Sequence, residues 1–178
     1  MPELIDVLDE NGIRTGRIAT REEVHREGLW HQIAVVVIID NDGRILLQQR
    51  SKNKRTNPEK WDIAAAGHVD AGEDSLLTAR REVEEELGIV VDNLQFLLSY
   101  SQESRYEWQG ESLLDRQLFD CFLSRVVKVD IDGLRLQDSE VQAAKLCTAM
   151  EFKKMIDKGD MVKRSSLYEE VIKIMEQE

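Results

Sequence analysis

The chain has 178 residues, of which 42% are hydrophobic and 33% charged, a balance that predicts a folded, soluble protein rather than a disordered one. Its net charge of −11 argues against general nucleic-acid binding, which needs surplus Lys and Arg to neutralise phosphates. No apolar run approaches the roughly 18–20 residues of a membrane span, and the N-terminus lacks the plan of a signal peptide. We therefore expect a cytoplasmic protein with no membrane or nucleic-acid partner.

The first 28 residues predict a β-hairpin followed by a short helix. Two apolar pairs, Leu4-Ile5 and Val7-Leu8, precede the turn sequence DENG, and the segment from Ile13 to Ile18 follows it, an arrangement typical of a hairpin. Thr20 precedes Glu23 by three residues, the spacing of a capping box, and this predicts a helix that continues through His25.

Strands and a basic segment follow the hairpin. Residues 30–40 contain the run AVVVII, whose nearly continuous β-branched side chains predict a strand covered on both faces. A turn leads to a second strand over 45–49. Five of the eleven residues in 50–60 are Lys or Arg, the one marked positive cluster in the sequence, and a strand with a small AAA centre is predicted over 61–69.

A loop and one acidic helix follow, in the stretch GHVDAGEDSLLTARREVEEELGI that covers residues 67–89. Asp74 or Ser75 can cap the start of this helix, and Gly88 can end it in a left-handed turn. The apolar residues recur at spacings of three and four, which gives the helix one stripe to pack against a core. This predicted stripe consists of Leu76, Ala79, Val83 and Leu87.

Three carboxylates lie on a second face of the helix, because residues at i, i+3 and i+4 are neighbours. Glu82, Glu85 and Glu86 should repel one another by roughly 0.2–0.5 kcal/mol per adjacent pair unless a positive group lies over them. Hard oxygen ligands beside a loop suit Mg²⁺ or Mn²⁺, which also bind substrate phosphates. A bare EEE run is more often a solvated face, so this interpretation depends on the spacing of the whole stretch.

The rest of the chain completes one α+β unit without internal repeats or a long linker. We expect a single domain over 1–178, with a hairpin and helix in 1–28, the core in 29–160 and a C-terminal helix in 161–178. Further strands are predicted over 94–101, 113–125 and 141–147, with a polar connection over 102–112, and further helices over 151–158 and 165–178.

The acidic stretch resembles the signature of the Nudix family at every position. Gly67 is followed after five residues by Glu73, then after seven by Arg81 and the carboxylates, with Gly88 near the end. The resemblance implies the Nudix fold, a mixed β-sheet sandwiched between α-helices, here with an N-terminal β-hairpin. It also implies hydrolysis of a nucleoside diphosphate linked to another group, by attack of water at phosphorus.

The family pattern assigns roles to residues of this stretch. Glu82, Glu85 and Glu86 would hold Mg²⁺ or Mn²⁺ together with the backbone carbonyl of Ala66, and one of them would accept a proton from water. Glu73 and Arg81 would form a salt bridge that braces the loop against the helix, with Gly67 and Gly88 in structural support.

Residues 25–90 also resemble the isopentenyl-diphosphate isomerase branch of the Nudix superfamily. His25, His31 and His68 fall at or within one residue of the isomerase metal-binding histidines, although the first pair is one residue closer than expected. Arg50 and Lys54 match positions that bind a diphosphate. Each histidine taken alone is more often an ordinary core or polar residue, so a second metal-binding role depends on the three acting as a set.

The isomerase chemistry is not expected to carry over. Its catalytic cysteine precedes the Gly-His of the loop, and this chain has Ala66 there, while Cys121 and Cys147 are not placed to substitute. The expected function is therefore that of a hydrolase. The alternatives are an isomerase-like enzyme and a non-catalytic Nudix sensor that holds a nucleotide.

Candidate substrate contacts outside the acidic stretch are weaker. Trp61 could stack on a base or simply belong to the core, and Glu140 could supply an extra carboxylate or simply be solvated. The partner expected is a small-molecule diphosphate. A homodimer could form through the N-terminal hairpin or an edge strand.

Overall fold

The computed structural model describes residues 2–108 and 110–177, which form a mixed sheet and helices. Within these residues, no helix combines the length and the apolar character that a membrane crossing requires. The strands are β1 (Leu4–Leu8), β2 (Arg14–Thr20), β3 (Trp30–Asp40), β4 (Ile45–Arg50), β5 (Trp61–Ile63), β6 (Ala65–His68), β7 (Gln95–Trp108), β8 (Glu111–Val126) and β9 (Val141–Cys147). The helices are α1 (Arg21–Glu27), α2 (Ser75–Leu87), α3 (Ala149–Asp157) and α4 (Ser165–Glu176).

β3 lies at the centre of the sheet. It pairs in parallel with β8 along its whole length, from Trp30 opposite Arg116 to Asp40 opposite Val126. On its other side it pairs antiparallel with β6 over Ile33–Val36, so that the sheet is mixed. The β-branched run is buried on both faces, as the sequence predicted.

Helices cover both faces of β3. Alternate side chains of the strand enter two separate apolar clusters, one that contains Val35 and one that contains Val36. The first cluster also contains residues of α3 and α4, and the second contains the apolar stripe of α2. The prediction of an α+β protein with a sheet between helices is confirmed.

The local signals in α1 and α2 are confirmed by the backbone. Thr20 and Glu23 form the predicted capping box, and α1 continues to Glu27. The side chain of Asp74 accepts a hydrogen bond of 2.8 Å from the amide of Leu77, which selects Asp74 over Ser75 as the cap. Gly88 ends α2 with a φ of +70°.

The chain between residues 61 and 69 is not the single predicted strand. β5 pairs with β4, from Gln49 opposite Trp61 to Leu47 opposite Ile63. After Ala64 the chain changes partner, and β6 pairs with β3 instead. The run of small residues accommodates this change, because alanine side chains let the backbone pass closely between two strands.

The polar stretch 102–112 is not the predicted connection either. β7 and β8 continue through it as one long antiparallel hairpin, paired from Gln95 opposite Leu123 to Trp108 opposite Glu111. We call the paired residues 102–108 and 111–117 of this hairpin the arm. Side chains of β7 alternate there between exposed and half-buried positions over 102–107, and residues of both rows line a cleft.

The C-terminal helices lie close to their predicted positions. α3 begins two residues earlier than expected, because Thr148 and Glu151 form a second capping box. α4 begins at the predicted residue and ends at Glu176, and Glu178 lies outside the described residues.

A buried ion pair joins the start of α4 to β5. Arg164 donates two hydrogen bonds to the carboxylate of Asp62, at 2.8 and 2.9 Å, and both side chains are almost completely buried. Removing one partner of such a pair leaves an uncompensated charge in the interior, which is far more costly than removing both.

We predict that Arg164→Met lowers the free energy of unfolding by about 3–5 kcal/mol, because Asp62 is then buried without its partner. Urea denaturation followed by circular dichroism measures the change. The double variant Asp62→Leu/Arg164→Met serves as the control and should recover part of the loss. A loss below about 1 kcal/mol in the single variant would contradict this account.

Candidate functional site

The carboxylates of α2 meet the sheet at β6. Gly67 lies directly beneath Glu82, and a Cβ atom at position 67 would overlap with the Glu82 carboxyl group. Only glycine therefore lets this carboxylate approach the strand that carries the carbonyl of Ala66. Glu82 and Glu86 are largely buried, whereas the side chain of Glu85 is half exposed.

Burial changes the acidity of two of these groups. Desolvation raises the pKa of Glu82 to about 7, although Arg81 opposes this change. Desolvation likewise raises the pKa of Glu86 to about 8, and the neighbouring charge of Glu82 adds to the effect. Gln48 donates a hydrogen bond of 2.8 Å to Glu86, which fixes that carboxyl group in place. Both groups would be strongly stabilised in their ionised forms by a cation.

Arg81 is the positive group that lies among the carboxylates. Its guanidinium contacts Glu82 at 2.7 Å, Glu85 at 3.5 Å and Glu73 at 3.5 Å. The contact with Glu73 is the salt bridge that the family resemblance implied. Thr78 also donates a hydrogen bond of 2.9 Å to Glu73, so the loop before α2 is tied to the helix at two points.

The three histidines form one cluster, with ligand atoms within 4.8 Å of one another. Nδ1 of His31 lies 2.9 Å from the carbonyl oxygen of Leu29, which can only accept, so Nδ1 carries the proton. Nδ1 of His68 faces the carboxylate of Glu3 at 3.2 Å and is protonated for the same reason. The Nε2 atoms of His31 and His68 are left as buried acceptors without a partner among the described residues.

Burial holds two of the histidines, His31 and His68, in their neutral form. Burial lowers the pKa of His31 to about 3, and the neighbouring His68 contributes to this shift. Burial also lowers the pKa of His68. Neutral imidazoles with unpaired nitrogen lone pairs are the form that binds metal ions, and their Nδ1 partners set the tautomer.

Two carboxylates of this cluster were missed by the sequence reasoning. Asp115 of β8 lies 3.1 Å from Nδ1 of His25 and 3.7 Å from Nε2 of His31. Glu3, just before β1, contacts His68. Neither residue belongs to a motif, and only the pairing of β8 and β1 with β3 brings them here, so the sequence carried no local signal for them.

A cleft of about 790 Å³ joins the carboxylates, two of the histidines (His25 and His68) and the basic loop over 50–60. Arg50 donates hydrogen bonds to the carbonyl of Thr56 and so shapes this loop. Lys54 forms an ion pair with Glu140, which brings two predicted substrate-binding residues together at the cleft. The opposite wall is the arm, and Arg55 of the loop lies over the ring of Tyr106 at 5.6 Å.

Trp61 is not brought to the cleft. Its ring packs against the apolar cluster on the side of α3 and α4, and the ammonium of Lys145 lies 4.1 Å from the ring centroid. Strand β5 places this residue at the edge of β4, away from the acidic helix. The alternative that Trp61 is a core residue therefore describes its position.

Comparison with known proteins identifies the family. The NUDIX domain model matches residues 30–168. The chain is 34% identical over 162 residues to Nudix hydrolase 3 of Arabidopsis thaliana. This match covers 89% of the chain but only 21% of that longer protein. The chain is also 32% identical over 104 residues to an isopentenyl-diphosphate Delta-isomerase of Serratia proteamaculans, covering 58% of the chain and 57% of that protein.

A solved structure shares the fold over nearly the whole chain. The crystal structure of DR0079 from Deinococcus radiodurans superposes with a TM-score of 0.72 at 18% identity, and the match covers 95% of this chain and 97% of that one. At this level of identity the likeness concerns the fold alone. With the matched family model, the fold and the intact acidic stretch at the cleft, the chain belongs to the Nudix hydrolase family.

Proposed function

We propose that the protein is a metal-dependent pyrophosphohydrolase that cleaves a nucleoside diphosphate linked to another group. The observation that carries this proposal is the position of Glu82, which is seated against Gly67 with its pKa raised to about 7 in a cleft that also holds a basic loop. A carboxylate whose pKa lies near neutral pH is suited to accept a proton from attacking water.

The donor set fits Mg²⁺ or Mn²⁺. Glu82, Glu85 and Glu86 offer hard oxygen ligands, and Glu82 closely approaches Gly67 on the strand that carries the carbonyl of Ala66. When bound, such an ion would screen phosphate charge and lower the pKa of coordinated water. Arg81 would keep the remaining carboxylate charge balanced, through its contacts with Glu82 and Glu85.

The residues of the chain account for each part of the reaction. The oxygen of water forms a bond to phosphorus, the bond from phosphorus to the bridging oxygen breaks, and the proton of water passes to a carboxylate of α2. The leaving group departs with the bridging oxygen and its negative charge. Arg50 and Lys54 line the cleft and are placed to bind the phosphates, and Lys54 would exchange its ion pair with Glu140 for the substrate.

Two observations favour hydrolysis over the alternatives. The cysteine of the isomerases is replaced by Ala66, and both Cys121 and Cys147 are buried in the core rather than in the cleft. A non-catalytic sensor would have no need of the complete carboxylate set. Turnover in the presence of Mg²⁺ separates these possibilities.

We predict that Glu85→Gln and Glu82→Gln each lower turnover by about 10²–10⁴, because a ligand or the proton acceptor is lost. Product release is measured from nucleoside diphosphates, triphosphates, sugar nucleotides, dinucleotides and isopentenyl diphosphate, with Mg²⁺ or Mn²⁺. Glu84→Gln, on the exposed side of the same helix, is the matched control and should retain activity.

Two results would refute parts of this proposal. If isopentenyl diphosphate alone reacted, by migration of its double bond, the isomerase alternative would replace hydrolysis. Glu140 would lose its proposed role if Glu140→Gln left turnover unchanged while Glu85→Gln removed it.

We predict a pH dependence of stability that originates at Glu86. Its pKa is about 8 in the folded protein against an ordinary value of 4.5, so between these values the folded state holds more protons than the unfolded state. The free energy of unfolding should therefore fall as pH rises from 5 to 8 without metal, by up to about 1.4 kcal/mol per pH unit for this group.

Denaturation with urea in EDTA, at several pH values, tests this dependence. Glu86→Gln lacks the titrating group and should show a shallower decline than the parent protein. Added Mg²⁺ should stabilise the parent more at pH 8 than at pH 6, because its ligands must first lose their protons. Parallel pH profiles for the parent and Glu86→Gln would show that Glu86 is not the origin.

The histidine cluster supports a second cation site. His31 and His68 present unpaired Nε2 atoms, and His25, Asp115 and Glu3 complete a set of nitrogen and oxygen donors. Imidazole and carboxylate ligands together suit divalent transition metals such as Mn²⁺ or Zn²⁺.

We predict that His31→Gln removes one equivalent of tightly bound transition metal, since its Nε2 is a proposed ligand. Elemental analysis of protein dialysed after exposure to Mn²⁺ or Zn²⁺ measures the content. Glu85→Gln is the control that should retain this ion while losing turnover. Equal metal content in His31→Gln and the parent would rule out the site.

A further inference from the structure

The face of the arm that lines the cleft carries a pair of glutamines. Gln102 of β7 and Gln117 of β8 are direct partners across the hairpin, and both line the cleft. Side chains of such partners leave the backbone about 4.5–5.5 Å apart on the same face. The neighbouring partners Tyr100 and Phe119 stack with ring centroids 4.8 Å apart, which is direct evidence that this row of side chains shares one face.

The two amides have no hydrogen-bond partner among the residues that the structure describes. Both residues are half-buried, yet neither side chain makes a hydrogen bond to another described residue. Each amide offers a carbonyl acceptor and an NH₂ donor, so the pair presents both kinds of group to the cleft. A ligand that excluded water here without matching these groups would leave them unsatisfied, at a considerable cost in affinity.

The floor beside the amides is apolar. Ile33, Phe119 and Val162 line the same cleft and are each at most 9% exposed. The guanidinium of Arg164 lies 5.1 Å from the ring centroid of Phe119, and its Nε and one terminal nitrogen donate to Asp62.

An apolar floor with adjacent donors and acceptors matches a planar heteroaromatic ring with polar edge groups. A prenyl chain would bury the amides unpaired, and a phosphate dianion would leave their carbonyl oxygens without a donor. Sites of this kind discriminate strongly, because a ligand that lacks the matching polar groups leaves buried groups unpaired.

We propose that Gln102 and Gln117 form a specificity subsite that binds the edge of a nucleobase by hydrogen bonds. This assignment rests on the proposed function, since the base would belong to the nucleoside diphosphate that is cleaved. It makes the arm the element that selects substrates, whereas α2 supplies the chemistry.

Binding of fragments tests the subsite without turnover. Calorimetry in EDTA compares the four common nucleoside 5′-monophosphates with ribose 5-phosphate, which has no base. At least one monophosphate should bind about tenfold or more tightly than ribose 5-phosphate, and Gln102→Leu and Gln117→Leu should each reduce this preference about five- to tenfold. Gln95→Leu, an exposed position on the same strand, is the matched control and should leave the preference intact.

Two outcomes would overturn the subsite: equal binding of all monophosphates and ribose 5-phosphate, or an unchanged preference in both glutamine variants at unchanged melting temperature. If either leucine variant fails to fold, Gln102→Asn is tested in addition. This variant keeps the amide but shortens its reach, so it should show an intermediate preference. Turnover of diphosphates by the parent protein is measured separately. Base-dependent binding without turnover would refute hydrolysis while leaving the subsite in place.

Discussion

The site depends on one close approach, that of the Glu82 carboxyl group to the backbone at Gly67. This approach requires glycine at that position and a helix held firmly against the sheet. The apolar stripe of α2 provides the second condition, because Ala79, Val83 and Leu87 are completely buried against the alternate side chains of β3. The apolar packing of α2 thereby keeps the carboxyl groups of Glu82 and Glu86 out of water. This burial raises their pKa values.

The central strand β3 supports the fold and also aligns the site, because helices cover both of its faces and strands pair with both of its edges. Its faces carry α2 on one side and α3 with α4 on the other, while its edges pair with β8 and β6. Each edge partner delivers a separate part of the site. β6 brings Ala66 to His68 beside the acidic helix, and β8 brings Asp115 to the histidines, so one buried strand aligns both proposed cation sites.

Features set by neighbours in sequence could be predicted, and features set by distant pairing could not. Residues within one helical turn predict the caps of α1 and α2. A run of consecutive apolar residues predicts the buried strand β3. The change of partner at Ala64 and the length of the arm depend on which strand lies alongside, which periodicity does not encode. Glu3 and Asp115 lie in the site for the same reason. Trp61 lies against the apolar core instead, and its aromatic character alone would have suited either the core or the cleft.

The site draws on parts of the chain that lie outside the region matched by the family model. The matched region begins at residue 30, yet Glu3 contacts His68 and His25 contacts Asp115. A fragment trimmed to the matched region would keep the acidic helix but lose two donors of the histidine cluster. Joining this core to a different N-terminal segment would accordingly change the surroundings of the histidines. The carboxylates of α2 would stay as they are.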